Sequence, residues 1–217
     1  MKRTLFSFIF ILTAFYASAQ RPYKQNLAGL ATIDFPAAPK AADTMGHSTY
    51  VYKDSSVLYI VLAKEYGKDE SMLNADKIDE FYDGTVRGIL KQANGMLVSK
   101  KPFEIKGLKG IDIVYTAAAN PNLPDLRFER ILLINNTVFN FDFWIDAKNK
   151  DAAAAARDRF FNSLAIINGP APEQGNKDQT AFNIGYLIGQ VTVWVIVFGV
   201  IAGIVIAIVK SNKKRKK

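Results

Sequence analysis

The chain has 217 residues, with 28 Lys and Arg against 20 Asp and Glu, and a formal net charge of +8. It contains no cysteine, so disulfides, thiol catalysis and thiolate metal sites are excluded and an exported domain must be held together by its core. Lys2, Arg3, Lys210, Lys213, Lys214, Arg215, Lys216 and Lys217 account for the whole charge excess, so the stretch between them is formally neutral and not a folded nucleic-acid-binding surface.

Lys2-Arg3 is a short positive region, and Leu5 to Tyr16 is apolar over about 12 residues, too short to cross a bilayer. Ala17-Ser18-Ala19 follows as an A-x-A cleavage site. Residues 1–19 therefore read as a signal peptide cut between Ala19 and Gln20, and residues 20–29 as a mobile leader.

Residues 30–168 carry the folded pattern. Thr32-Ile33-Asp34-Phe35 alternates polar and apolar like a half-buried strand, and Pro36 and Pro39 end it. Ser48 to Lys53 and Val57 to Lys64 form an antiparallel pair across Asp54-Ser55-Ser56, the second apolar enough to be central. Ile78, Phe81, Tyr82, Thr85, Ile89 and Leu90 recur on one face of a helix that Ser71 or Asn74 can cap and Gly95 can end. Met96 to Ile105 is a strand that Pro102 assigns to an edge or a bend. Gly107 and Gly110 bracket a turn before the alternating Ile111, Ile113 and Tyr115. Leu126 to Ile134 and Val138 to Ile145 form a hairpin across Asn135-Asn136-Thr137. In its second arm Phe139, Phe141, Phe143 and Ile145 point one way, and Asn140, Asp142, Trp144 and Asp146 the other. Asp151 to Ile166 is an alanine-rich closing helix. The predicted class is α+β, an antiparallel sheet of about six or seven strands packed with two helices, plus one membrane helix.

Three segments resemble the PsbP-like family, which shares its fold with the Mog-type Ran-binding proteins. They are Phe35-Pro36-Ala37-Ala38-Pro39, the arm Arg130-Ile131-Leu132-Leu133-Ile134-Asn135-Asn136-Thr137-Val138-Phe139, and Arg159-Phe160-Phe161-Asn162-Ser163-Leu164. The resemblance covers roughly residues 30–166. It implies a central antiparallel sheet with helices on its faces, serving as a binding or assembly module and not as an enzyme. No metal or partner residues carry over, and the membrane segment lies outside the family's core pattern.

No catalytic constellation stands out. His47, the only histidine, reads as a solvated loop residue, because a metal site recruits several ligands. No G-x-S-x-G, P-loop or G-x-G-x-x-G motif occurs. Asn135-Asn136-Thr137 matches a glycosylation sequon inside a tight hairpin. Asn140, Asp142 and Trp144 form the one candidate contact surface, since an exposed strand Trp is a common interface residue, unless a helix covers that face. Asp142 with Asp146 is the carboxylate pair that a hydrolase or lyase reading would use. No catalytic, cofactor-binding or metal residues are assigned, and no cofactor is implied.

Residues 169–183 are rich in Pro, Gly and polar residues and read as a flexible linker. Residues 184–209 then read as a transmembrane helix whose core, 191–209, is uncharged over 19 residues, about 28 Å of helix. The basic residues of 210–217 mark a cytoplasmic tail, which leaves the domain outside the cytosol. Small residues recur along the span at Gly185, Gly189, Thr192, Gly199, Gly203 and Ala207. Gly199, Gly203 and Ala207 are the candidate helix–helix contact for self-association. Together these residues predict a single-pass, exported binding or assembly-support module without catalytic activity. Its expected partners are the bilayer and a protein or second copy met through the span, with no nucleic acid. The alternatives are the carboxylate enzyme and a structural subunit acting through its membrane helix.

Overall fold

The computed structural model describes residues 21–44, 46–66, 77–117, 120–167 and 185–195. Strands β3 (Lys40–Thr44), β4 (His47–Asp54), β5 (Val57–Glu65), β6 (Gly95–Ile105), β7 (Leu108–Ala117), β8 (Leu126–Ile134) and β9 (Thr137–Ile145) form one antiparallel sheet in the order β3-β4-β5-β9-β8-β7-β6. β1 (Tyr23–Leu27), β2 (Ala31–Phe35) and β10 (Ala165–Ile166) form a second sheet, ordered β1-β2-β10. The helices are α1 (Ile78–Ala93), α2 (Ala154–Asn162) and α3, residues 185–195.

The central strands are the most continuously apolar ones. Every residue of β9 is buried, as are the first seven of β5, because both faces of the large sheet are covered. One face carries Phe139, Phe141, Phe143 and Ile145 and packs against the small sheet and α2. There Tyr59 meets Phe143 and Phe160 edge-on, at centroid distances of 5.1 and 5.3 Å. The other face lies under α1 and α3.

The turns follow local chemistry. Lys106 and Gly107, at φ +49° and +79°, make the two-residue β6–β7 turn that matches strand twist, so the turn sits before Gly107 and Gly110 lies within β7 under the Phe103 ring. Asn135, at φ +53°, supplies the left-handed residue of the β8–β9 hairpin. The α1 stop is Asn94, at φ +46°, and not Gly95, which already opens β6. β6 is the edge strand that Pro102 suggested, with a bulge between Leu97 and Ser99.

Several expectations need correction. The leader assigned to residues 20–29 holds a strand: β1 pairs with β2 along its length and buries Leu27 completely. β3 was not anticipated; it adds to β4 at the far edge. The closing helix is shorter than Asp151 to Ile166. Ser163 bonds the Phe160 carbonyl and accepts the Asp34 N–H, and the chain then turns so that Ile166 pairs with Ala31. His47 is buried at the start of β4 and not a solvated loop residue. The candidate caps Ser71 and Asn74 lie outside the described residues.

The three segments that carry the family resemblance converge in space. Phe35 meets Phe160 edge-on at 5.6 Å. Arg130 donates Nε and Nη2 to the two Asp112 oxygens at 2.8 and 2.9 Å, and Nη1 to the Phe161 carbonyl at 3.1 Å. That arginine ties α2 to the middle of the large sheet.

α1 buries more than one stripe. Gly84, Val86 and Gly88 join the expected Ile78, Phe81, Tyr82, Thr85 and Ile89, because α1 has two partners, the sheet and α3. The α1–α3 crossing is backbone on backbone. A Cβ at Gly185 would collide with the Phe81 carbonyl, one at Gly189 with the Thr85 carbonyl, and one at Gly88 with the Tyr186 carbonyl. Both helices run the same way along the sheet. Lys91 caps the contact with its ammonium 5.4 Å from the Tyr186 ring centre.

Candidate functional site

The face under α1 and α3 carries polar side chains where a core is expected. Register places Tyr115, Arg127 and Trp144 in one row across β7, β8 and β9, and Glu129 beside Asp142 in the next. Asn140 follows on β9. All six are buried, with Asp142 and Trp144 at 0% exposure. α3 adds the buried Ile188, Thr192, Val193 and Val195 to this layer, and Val195 shares a cluster with Leu58, Ile60, Leu62, Leu123 and Trp144.

The contacts are specific. Trp144 Nε1 donates to Asp142 Oδ1 at 2.9 Å, and Asn140 Nδ2 donates to Glu129 Oε1 at 2.7 Å. The Arg127 guanidinium lies 3.7 Å from the Trp144 ring centre and 5.9 Å from that of Tyr115. Tyr115 Oη, Arg127 Nε and Nη1, Glu129 Oε2 and Asp142 Oδ2 have no hydrogen-bond partner among the described residues.

Burial pushes Glu129 up to about 7, against the pull of the Asn140 hydrogen bond, of the nearby Tyr115 hydroxyl and of the Arg127 charge. Burial and then the Glu129 charge raise Asp142 well above the usual carboxylate range. Burial likewise raises the Tyr115 phenol. Arg127 offsets this burial cost only in part, and two buried negative charges side by side would leave the second with little to offset its desolvation. Glu129 and Asp142 are paired in the register, and a proton shared between their carboxyl groups would give Asp142 Oδ2 and Glu129 Oε2 the partner each lacks.

This arrangement corrects the candidate contact surface. Asn140, Asp142 and Trp144 do share a face, but it is covered, so they are interior and not a surface that a partner can touch. Asp146 lies past the end of β9 and is partly exposed, about 13 Å along the chain from Asp142 at strand rise. The two carboxylates of the enzyme alternative are therefore not assembled across a cleft. The cleavage site Ala19–Gln20 and the contact residues Gly199, Gly203 and Ala207 lie outside the described residues. Among the described residues, no helix is long and apolar enough to cross a membrane.

Arg127, Glu129 and Tyr115 are the members that sequence reading missed. A signal exists: Arg127 and Glu129 share a strand face with Ile131 and Leu133, which must be core, so the charges on that face are interior as well.

No protein-family model matches this chain, and no curated protein matches it. Among solved structures, the solution structure of cyanobacterial PsbP (CyanoP) from Synechocystis sp. PCC 6803 is similar, with TM-score 0.52 and 12% identity over 67% of this chain and 91% of that one. A Pseudomonas aeruginosa protein of unknown function aligns over 64% of this chain and 92% of its own, with TM-score 0.41 and 11% identity. The likeness to CyanoP is one of fold, and the chain has a PsbP-like α+β fold.

Proposed function

We propose that this chain is an exported, single-pass membrane protein whose PsbP-like domain works outside the cytosol as a non-enzymatic binding or assembly-support module. The observation that carries the reading is the uncharged run Val191 to Val209, whose first five residues pack on the domain and whose last 14 precede six basic residues, behind an N-terminus with signal-peptide character. The domain supports the non-enzymatic part. Its acidic pair lies under a helix, and a sheet filled on both faces leaves those groups no substrate. The PsbP-like fold supports a binding or assembly role. A protein partner or a second copy meets the chain through the span, with Gly199, Gly203 and Ala207 as the contact.

The test is topology followed by association. Protease added outside intact cells should remove the domain and leave a C-terminal tag protected, with the tagged fragment resisting alkaline carbonate. Loss of the tag, or release of the whole chain by carbonate, overturns the anchored reading. Crosslinking in membranes should trap a partner or a dimer that Gly199→Ile weakens. Monomer alone, for wild type and variant alike, overturns association through the span.

A further inference from the structure

We propose that the end of the domain where α3 leaves it is a lipid-contact surface, with Met96, Leu97 and Val98 of β6 and Trp194 of α3 entering the outer interface of the bilayer. The inference rests on the anchored reading above and adds how the domain sits on its membrane.

The surface is unusual for a sheet edge. Met96, Leu97 and Val98 are 73%, 43% and 61% exposed at the open end of an edge strand, where proteins ordinarily place charge or very short strands. The bulge between Leu97 and Ser99 takes Val98 out of the pairing and turns it outward. Trp194 is 47% exposed on the outer side of α3. A half-exposed indole is the chemistry of a membrane interface.

Register places Leu97 and the strand residues that pack under the end of α3 at the same end of the sheet. Leu97, Tyr115, Arg127, Trp144 and Leu58 form one row across five neighbouring strands. At about 4.8 Å per strand, Leu97 stands roughly 14 Å from Trp144. Val195, the last described residue of α3, packs in the cluster of Trp144 and Leu58. At the opposite end of the sheet Tyr82, in the first turns of α1, bonds the Lys109 carbonyl and the Leu133 N–H. α3 runs parallel to α1, so the chain leaves it at the Leu97 end, toward the apolar run.

Length then makes lipid the occupant. The glycine crossing and the Trp144 cluster hold residues 191–195 in the domain, so they cannot also lie in hydrocarbon. Between Val195 and Lys210 the sequence has 14 uncharged residues. As a helix they reach about 21 Å, against a hydrocarbon core of about 30 Å. An apolar edge that sinks about 5–10 Å into the interface makes up that difference. A domain swinging on a released helix would not need the patch.

The absence of cysteine allows a direct test on the full chain. Single variants Met96→Cys, Leu97→Cys, Val98→Cys and Glu104→Cys are labelled with bimane and reconstituted in phosphatidylcholine–phosphatidylglycerol vesicles, with or without brominated lipid. Glu104 is exposed at the other end of β6. Brominated lipid should quench the labels at 96, 97 and 98 and spare the label at 104. If the protein floats with the vesicles but all four labels behave alike, the lipid-contact surface is overturned and anchoring stands. If the protein does not float, both readings fall. Self-quenching at 96–98 without brominated lipid, relieved by diluting protein within the vesicles, would show a second copy on the edge and also overturn the inference.

Discussion

Gly189 of α3 rests on the Thr85 carbonyl of α1 at a distance that leaves no room for any side chain. Gly185 makes the same contact with the Phe81 carbonyl one turn earlier. The approach is closed by small residues on both helices, which is how helix backbones come into van der Waals contact. It turns the opening turns of an apolar C-terminal segment into part of the domain core.

Gly189→Leu should therefore lift α3 from α1. The expected loss is about 1–3 kcal/mol, the usual range for overpacking, with Trp144 emission shifting to the red as its cover leaves. Denaturant unfolding and fluorescence measure both. An unchanged midpoint would mean that α3 contributes nothing to the folded domain.

Trp144→Ala separates the core reading from the contact reading. Trp144 is fully buried, covers the Arg127 guanidinium and donates to Asp142. Its removal should cost about 3–5 kcal/mol by chemical denaturation. Retention of wild-type stability would restore it as a surface contact.

The acidic pair gives the domain a pH dependence. Folding raises Glu129 from 4.5 to about 7 and raises Asp142 well above the usual carboxylate range, both chiefly by burial. The folded state then holds more protons than the unfolded chain, and stability falls as pH rises. Relative to pH 8, the Glu129 contribution is fully present below about pH 4.5, is lost through about pH 7, and is on the order of 3 kcal/mol at most. Urea midpoints should fall from pH 5 to pH 8, and Glu129→Gln should flatten the profile. A midpoint that rises over this range would sink the shared-proton account.

Arg130→Lys tests the tie between α2 and the sheet. Lysine cannot reproduce the two parallel bonds to Asp112 together with the bond to the Phe161 carbonyl. The expected cost is about 1–2 kcal/mol in the denaturant midpoint, with a coupling to Asp112→Ala in a double-mutant cycle. Additive single and double variants would show that the pair is not coupled.

Local pattern was enough for the long elements. The unbroken apolar run of β5, the period-2 alternation of β9 and the 3.6-residue period of α1 each state a burial that any compact fold must honour, so these elements stand where the residues put them. β1, β3 and β10 were not legible, because short strands owe their existence to a neighbour: Ile166 is extended because Ala31 offers it a ladder, and an isolated Ala-Ile pair has no such preference. The same holds for the polar cluster. Alternation places Asn140, Asp142 and Trp144 on one face, and it cannot say whether that face meets water or a helix. Only tertiary structure brings α1 and α3 over it, because the glycines that admit α3 are spaced on two helices about a hundred residues apart in sequence. Burial then decides the chemistry: Asn140, Asp142 and Trp144, which looked like a contact surface, become the hydrogen-bonded interior of a covered sheet, and burial raises the Asp142 carboxyl.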